Sequence, residues 1–347
     1  MWAIDRWRLR LLPRLCPAHI ALALYFLFAC LSLLFAAPNP RAGLPKLLGI
    51  AELCALTLIT SDLASRPRIF PRVARTVAIT SLVSAGAALL GLAFFYAGIS
   101  SHLIGIYGEL EPSSWYARVQ AGTHNPNLLA SFCIFASAIV AHRDGELPGW
   151  LRRITLTALW ITVCLTFSRG ILGFILAAVI RGANTRFRRR VAAVCGAVSA
   201  GIMISLTIWN PSINPAHPLD ISFRTSESSR LQAATSSFAT LLRHPLFGSG
   251  LGTSPGQYLG APFDSHLTPL NIAATLGLPS LISFVFLVTL VWRRRMRPTD
   301  LCIWGALAGM ALDGLAQDTE DFRHLWVMLG FAGANASVPE KARECRE

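Results

Sequence analysis

Charge is scarce in this chain. Only 14% of its 347 residues are Asp, Glu, Lys or Arg, while 53% are hydrophobic; a soluble globular domain carries about a quarter charged residues. With a mean hydropathy of +0.51, the repeated apolar runs of spanning length predict an all-α polytopic membrane protein rather than a soluble one. Cysteine chemistry is missing too. Of the eight cysteines, Cys30, Cys54, Cys133, Cys164, Cys195 and Cys302 fall in apolar runs, and Cys16 and Cys345 fall in basic flanks. A disulfide framework is therefore not expected, and there is no CxxC or Cys/His metal spacing. The absence of an internal repeat weighs against a secondary transporter, whose halves usually match. No GxGxxG follows a strand, so a dinucleotide site is rejected.

The apolar runs define about ten transmembrane helices in one membrane domain covering 1–347. The expected spans are 18–37, 43–61, 74–99, 125–141, 154–167, 170–181, 191–209, 267–291, 300–316 and 324–337. A net charge of +13 raises the question of nucleic acid, but 23 of the 31 lysines and arginines fall in segments that alternate with the rest. That asymmetry is the positive-inside pattern, so basicity encodes topology and no nucleic-acid partner is expected. Both termini are placed in the cytoplasm. The basic start and the apolar run after it imitate a signal peptide, but the run is long for one, and a retained anchor is expected.

Residues 154–180 test the span count. Both flanks, 142–153 and 181–190, are basic, and a single crossing would put one of them outside. Two short helices turning at Ser168-Arg169-Gly170 keep both inside. Each reaches only about 20 Å of a roughly 30 Å hydrocarbon core, so Arg169 is expected in a recessed, water-accessible cavity. An intramembrane arginine usually has a functional partner; the plainer alternative is a snorkelling arginine at a helix end.

The same map puts four polar motifs on one face: 123–127, the SRG turn, one large loop over 210–266 and the 317–323 stretch. Within them, His266 opens an apolar helix; it either serves as a base near neutral pH, where its ordinary proton affinity lies, or is an interfacial histidine satisfying helix-end groups, the commoner case for such a residue alone. Asp264 either orients that imidazole or caps the helix; spacing does not decide. Arg230 and Arg224 are cations suited to a charged leaving group, or simply solvated loop charges. His244-Pro245-Leu246-Phe247-Gly248-Ser249-Gly250-Leu251-Gly252 either offers amides to a ligand or forms a tight structural turn. His124 before Asn125-Pro126 reads first as a turn into a helix. Asp318-Thr319-Glu320-Asp321 is the dense acidic cluster. Metal-dependent sugar transferases hold a divalent ion with such residues, but with Arg323 adjacent a salt-bridged loop is the stronger expectation. Glu52 and Asp313 lie within spans.

Taken in order, Asn125-Pro-Asn127, Thr166-Phe-Ser-Arg-Gly170, Arg230, His244-Pro-Leu-Phe-Gly-Ser-Gly-Leu-Gly252, His266-x3-Leu270-x6-Gly277 and Asp321-Phe-Arg-His-Leu-Trp326 resemble the O-antigen ligase superfamily. That group includes related polymerases and protein O-oligosaccharyltransferases. The resemblance covers roughly 120–335. It departs at Leu267 and Thr275, where the family commonly has Asn and an acidic residue.

The resemblance implies a GT-C type glycosyltransferase of the bacterial inner membrane with a periplasmic active site. It would move a glycan from undecaprenyl diphosphate to an acceptor hydroxyl. It further implies His266 as general base, Arg169 and Arg230 on the diphosphate with Arg224 nearby, and no metal or other cofactor. Ligation to lipid A–core is the first expectation, and polymerisation of lipid-linked repeats is the runner-up. A lipid-linked glycan flippase is the alternative from another class.

Overall fold

The computed structural model describes residues 17–64, 69–107, 116–142, 145–182, 218–256, 264–293 and 300–334. The helices are α1 (Pro17–Phe35), α2 (Pro40–Ala64), α3 (Ile69–Tyr96), α4 (Pro126–Ala141), α5 (Gly149–Leu165), α6 (Gly170–Arg181), α7 (Pro218–Arg243), α8 (Thr268–Leu276), α9 (Leu278–Trp292), α10 (Leu301–Asp313) and α11 (Arg323–Ala334). Helices occupy nine of the ten apolar segments; the tenth, 191–209, lies outside the described residues. α1, α2 and α3 are long and apolar enough to cross a membrane, and α4, α6, α9 and α10 are shorter apolar helices.

Local chemistry sets the boundaries. α4 starts where Asn125 accepts a hydrogen bond from the Asn127 amide at 2.9 Å, with Pro126 in the first turn. The cap satisfies one of the orphan donors of a helix start, and proline there loses nothing. α5 ends at Leu165 and α6 begins at Gly170, so residues 154–180 form a helix pair turning at 166–169.

Three features differ from a purely helical reading with one long loop. First, the apolar segment 267–291 is two helices. Gly277 has φ +90, a backbone that side chains rarely adopt, and Pro279 follows it in the first turn of α9. Second, the 210–266 segment contains the 26-residue helix α7, because 219–243 contains neither glycine nor proline. Third, an antiparallel hairpin of β1 (Ile104–Tyr107) and β2 (Tyr116–Val119) precedes α4, in the register Ile104↔Val119 and Gly105↔Arg118. Ile104 and Val119 bury against Ala88 of α3 and Leu129 of α4.

Packing uses small residues where a membrane bundle needs backbones close together. α6 and α10 meet through Gly173 against Gly309 and Ala177 against Gly305, and a Cβ on either glycine of α10 would collide with the α6 backbone. α2 and α11 meet where the Thr57 hydroxyl donates to the Trp326 carbonyl at 3.1 Å. Tyr25, Phe284 and Trp326 join α1, α9 and α11, with ring centroids 5.5–6.0 Å apart. The polar turns gather at one end of this bundle.

Candidate active site

Three turns and one helix build the site. The turn between α5 and α6 is locked by its own hydroxyls. The Ser168 amide lies 3.3 Å from Thr166 Oγ1, and the Gly170 amide donates to Ser168 Oγ at 3.2 Å. Phe167 takes the left-handed conformation at φ +46 and stands exposed beside the buried Thr166 and Ser168.

From β2, Arg118 reaches into this turn. Its Nε donates to the Thr166 carbonyl at 2.7 Å, and Nη2 donates to Asn127 Oδ1 at 2.8 Å. A cation on the last carbonyls of α5 is favoured by the helix dipole. Ser168 Oγ donates to the same Asn127 oxygen at 2.8 Å. Gln317 donates towards the Asn127 carbonyl at 3.5 Å and also hydrogen-bonds Asp313. Asn127 therefore ties the hairpin, α4, the SRG turn and the end of α10 together, and Arg169 is presented from a braced turn.

His266 sits half-buried just ahead of α8. Its turn is pinned to the α10–α11 connection. The Thr268 amide donates to the Gly314 carbonyl at 2.8 Å, its hydroxyl donates to the Gln317 carbonyl at 2.9 Å, and the Thr319 amide donates back to that hydroxyl at 2.9 Å. Asp264 fixes the turn before the histidine by accepting from Ser254 Oγ at 3.1 Å and the Gly256 amide at 3.0 Å. Arg230 leans from α7 onto the same connection, donating to the Ala316 carbonyl at 3.2 Å. Arg224 belongs to the part of α7 whose side chains are outside the described residues.

Electrostatics show which of these groups meet. Burial lowers the His266 pKa to about 4, helped by the positive charges of Arg230 and Arg169. Burial also lowers Arg169 to about 10, with Arg230 contributing repulsion. Arginine ordinarily holds its proton far above this. Two like charges and a histidine thus share one partly desolvated space, and the imidazole is neutral at pH 7. Such a cationic space favours an anion.

The acidic cluster has a different neighbourhood from the expected one. Arg323 forms its two-point pair with Glu52, at 2.6 and 3.0 Å, and meets the cluster only through a weaker Coulombic attraction to Asp321. One of these residues opens α11 and the other lies within α2, a meeting that spacing alone could not show. The nearby cation is Lys46 of α2, which feels Glu320, Asp321, Asp318 and Asp264. Asn271 Nδ2 donates to Asp318 Oδ2 at 2.6 Å, and Trp326 Nε1 donates to the Glu320 carbonyl at 2.6 Å. Burial raises the pKa of both Asp318 and Glu320. Among the described residues no group of three or more His, Cys, Asp or Glu is arranged to hold a metal ion.

The glycine turn proves structural. The Ser249 and Gly250 amides donate to the Ala274 and Thr275 carbonyls at 2.8 and 3.1 Å, and the Leu278 amide donates to the Pro245 carbonyl at 2.9 Å. The first two bonds satisfy orphan carbonyls at the end of α8. Gly248, Gly250 and Gly252 all have φ between +64 and +91, and Gly250 and Gly252 lie against the backbone of the α1–α2 connection and the start of α2. The Ser249 and Gly250 amides are thereby committed to structure.

A helical membrane protein with a cationic, histidine-bearing space at one end of its bundle is the class these features define. Residues 154–285 match the family model described as O-Antigen ligase, so this stretch is similar to that family. The match runs from α5 into α9 and contains Arg169, Arg230 and His266. No curated protein and no solved structure matches the chain. Arg118 and Asn127 brace the site from outside the matched stretch, and no pairing between them was visible in the sequence.

Proposed function

We propose that this protein transfers a glycan from undecaprenyl diphosphate to an acceptor hydroxyl at the periplasmic face of the inner membrane, and that the acceptor is lipid A–core. The observation that carries the reading is the shared electrostatics of His266, Arg169 and Arg230. In this reading Arg169 and Arg230, with Arg224 nearby, hold the diphosphate. The acceptor oxygen attacks the anomeric carbon and passes its proton to the neutral His266 imidazole. The bond from that carbon to the phosphate oxygen breaks, and the electron pair leaves with the diphosphate, whose charge the arginine forks stabilise.

The low proton affinity of His266 has a consequence for this cycle. With the site empty, burial first and the arginines second make the imidazole a weak base. A bound diphosphate neutralises their field, so His266 gains basicity when the donor is in place. Proton abstraction is thereby coupled to donor binding.

The test is His266→Ala and Arg169→Ala, read by surface-glycan electrophoresis with lipid-linked intermediates measured in parallel. Long lipid-linked chains should accumulate while lipid A–core stays bare. Accumulation of short, unpolymerised repeats would assign polymerisation instead. Full activity of both variants would overturn the mechanism.

A further inference from the structure

α7 is built inside out for a helix in water. Its buried face carries Ala233, Ser236, Ser237 and Thr240, the first three 0% and the last 3% exposed. Its outward face carries Leu231, Phe238 and Leu242, which are 70%, 53% and 67% exposed. At helical spacing, positions 231, 235, 238 and 242 fall within a sector of about 60°, opposite the buried small residues. An aqueous surface helix has the reverse arrangement, with its large apolar side chains inward.

Two further observations point to what covers this stripe. Thr235 is its one polar member, and the Thr235 hydroxyl donates to the Leu231 carbonyl at 2.8 Å. Bonding a hydroxyl back to its own helix is how serine and threonine are satisfied where water is excluded. The stripe also continues into the apolar side of α1. Leu246, 64% exposed, extends it beyond the helix end, and the neighbouring Phe247 ring lies 5.5 Å from Phe35, between centroids. Phe35 and Leu34 are each 69% exposed at the end of α1, whose Leu24 and Leu27 are exposed further along. α1 has the length and composition to cross a membrane.

Gln232 and Arg243 flank the stripe at about 100–120° on one side. Arg243 and His244 line a cavity of about 650 Å³ with Phe35, Pro38, Thr240 and Leu246. Apolar residues on one face and polar residues at its edge are the pattern of a helix lying in a membrane interface.

We infer that α7 is an interfacial helix whose Leu231–Phe238–Leu242 face is seated among the acyl chains of the bilayer, in the leaflet into which the Phe35 end of α1 projects. This rests on the membrane reading of the chain and not on the identity of the transferred glycan. It gives α7 two faces with different duties: Leu231 anchors the helix in lipid, while Arg230, one residue earlier, turns to the carbonyl of Ala316 in the site. The cationic site then lies at the depth of lipid headgroups, the level at which a lipid-borne diphosphate would sit.

The experiment places a benzophenone amino acid at Leu231, Phe238 or Leu242 of the full chain. The protein is reconstituted in phosphatidylethanolamine–phosphatidylglycerol vesicles, irradiated, and its adducts identified by mass spectrometry. Gln232 serves as the flank control, and Leu27 of α1 reports that the chain is in the bilayer. Acyl-chain adducts at the three stripe positions, several-fold richer than at Gln232, are expected. Lipid adducts at Leu27 but not on the stripe would overturn the inference alone. So would stripe crosslinks to 191–209, to 257–263 or to a second copy. Absence of lipid adducts at Leu27 as well would overturn the membrane reading beneath it.

Discussion

His266 is defined by its neighbours more than by its own type. A histidine ahead of an apolar helix is commonly an interfacial residue, and nothing in its spacing sets its proton affinity. Burial and the arginines of two other segments do so. The sign follows directly: a nearby positive charge disfavours the imidazolium, so removing one must raise the pKa. In NMR titrations of histidine-labelled protein without substrate, His266 should titrate near pH 4. Arg230→Gln should move that midpoint upward towards the ordinary histidine range, near about 6.5. A midpoint unchanged by the substitution would separate the two side chains and remove the basis for their joint role. His266 and Arg169 were legible as candidates because a lone charge or histidine among apolar runs is conspicuous. Asn127 was legible as part of a helix start and of a motif, with no partner named for it. Its role as the acceptor shared by Arg118 and Ser168 joins residues up to 41 positions apart, and sequence order carries no record of that.

At the level of elements, the break between α8 and α9 is the feature on which the site's shape depends. Without Gly277 the two apolar helices would read as one span, as hydropathy alone suggests. A side chain at position 277 would meet the Leu246 carbonyl and the Phe247 amide while forcing φ +90 on a residue that resists it. Gly277→Ala should therefore lower the thermal stability of the detergent-solubilised protein, by about 1–3 kcal/mol from backbone strain alone. It should also displace the glycine turn that caps α8. Gly86→Ala is the matched control, since a Cβ there meets nothing within 4 Å. Equal melting temperatures for the two variants would show that the break is not held by this glycine. The glycine-rich run was visible in the sequence as a turn; whether its amides faced a ligand or a helix end was open, because both uses need the same residues. α7 escaped notice for another reason. It is rich in serine and threonine, and its 3.6-residue period places small residues inward, so the usual amphipathic signal has the opposite sense.

For the molecule as a whole, the charge pattern makes a topological claim that the bundle by itself does not address. Alkaline phosphatase fusions test it. Fusions after Gly145 and after Gly182 should be inactive, and fusions after Gln120 and after Ser265 should be active, because the enzyme folds only outside the cytoplasm. Activity after both 145 and 182 would invert the map and move His266 to the cytoplasmic side. The described polar turns at 118–127, 166–169, 264–268 and 314–321 do share hydrogen bonds. They therefore lie at one end of the bundle, whichever side of the membrane that end faces.

The sequence by itself determined the class of solvent and the number of apolar segments. Those depend on composition summed over twenty or so residues, and such sums survive ignorance of contacts. It also marked the chemical candidates, because ionisable groups are rare enough in such a chain to stand out. Only the tertiary structure decided the partnerships. Arg323 makes its hydrogen-bonded pair with Glu52 before any residue of the acidic loop beside it, Lys46 serves that loop from α2, and two arginines from different elements help set the proton affinity of one histidine. Each is a Coulomb or hydrogen-bond interaction in space between residues tens to hundreds of positions apart, and distance in space is what a linear chain does not record.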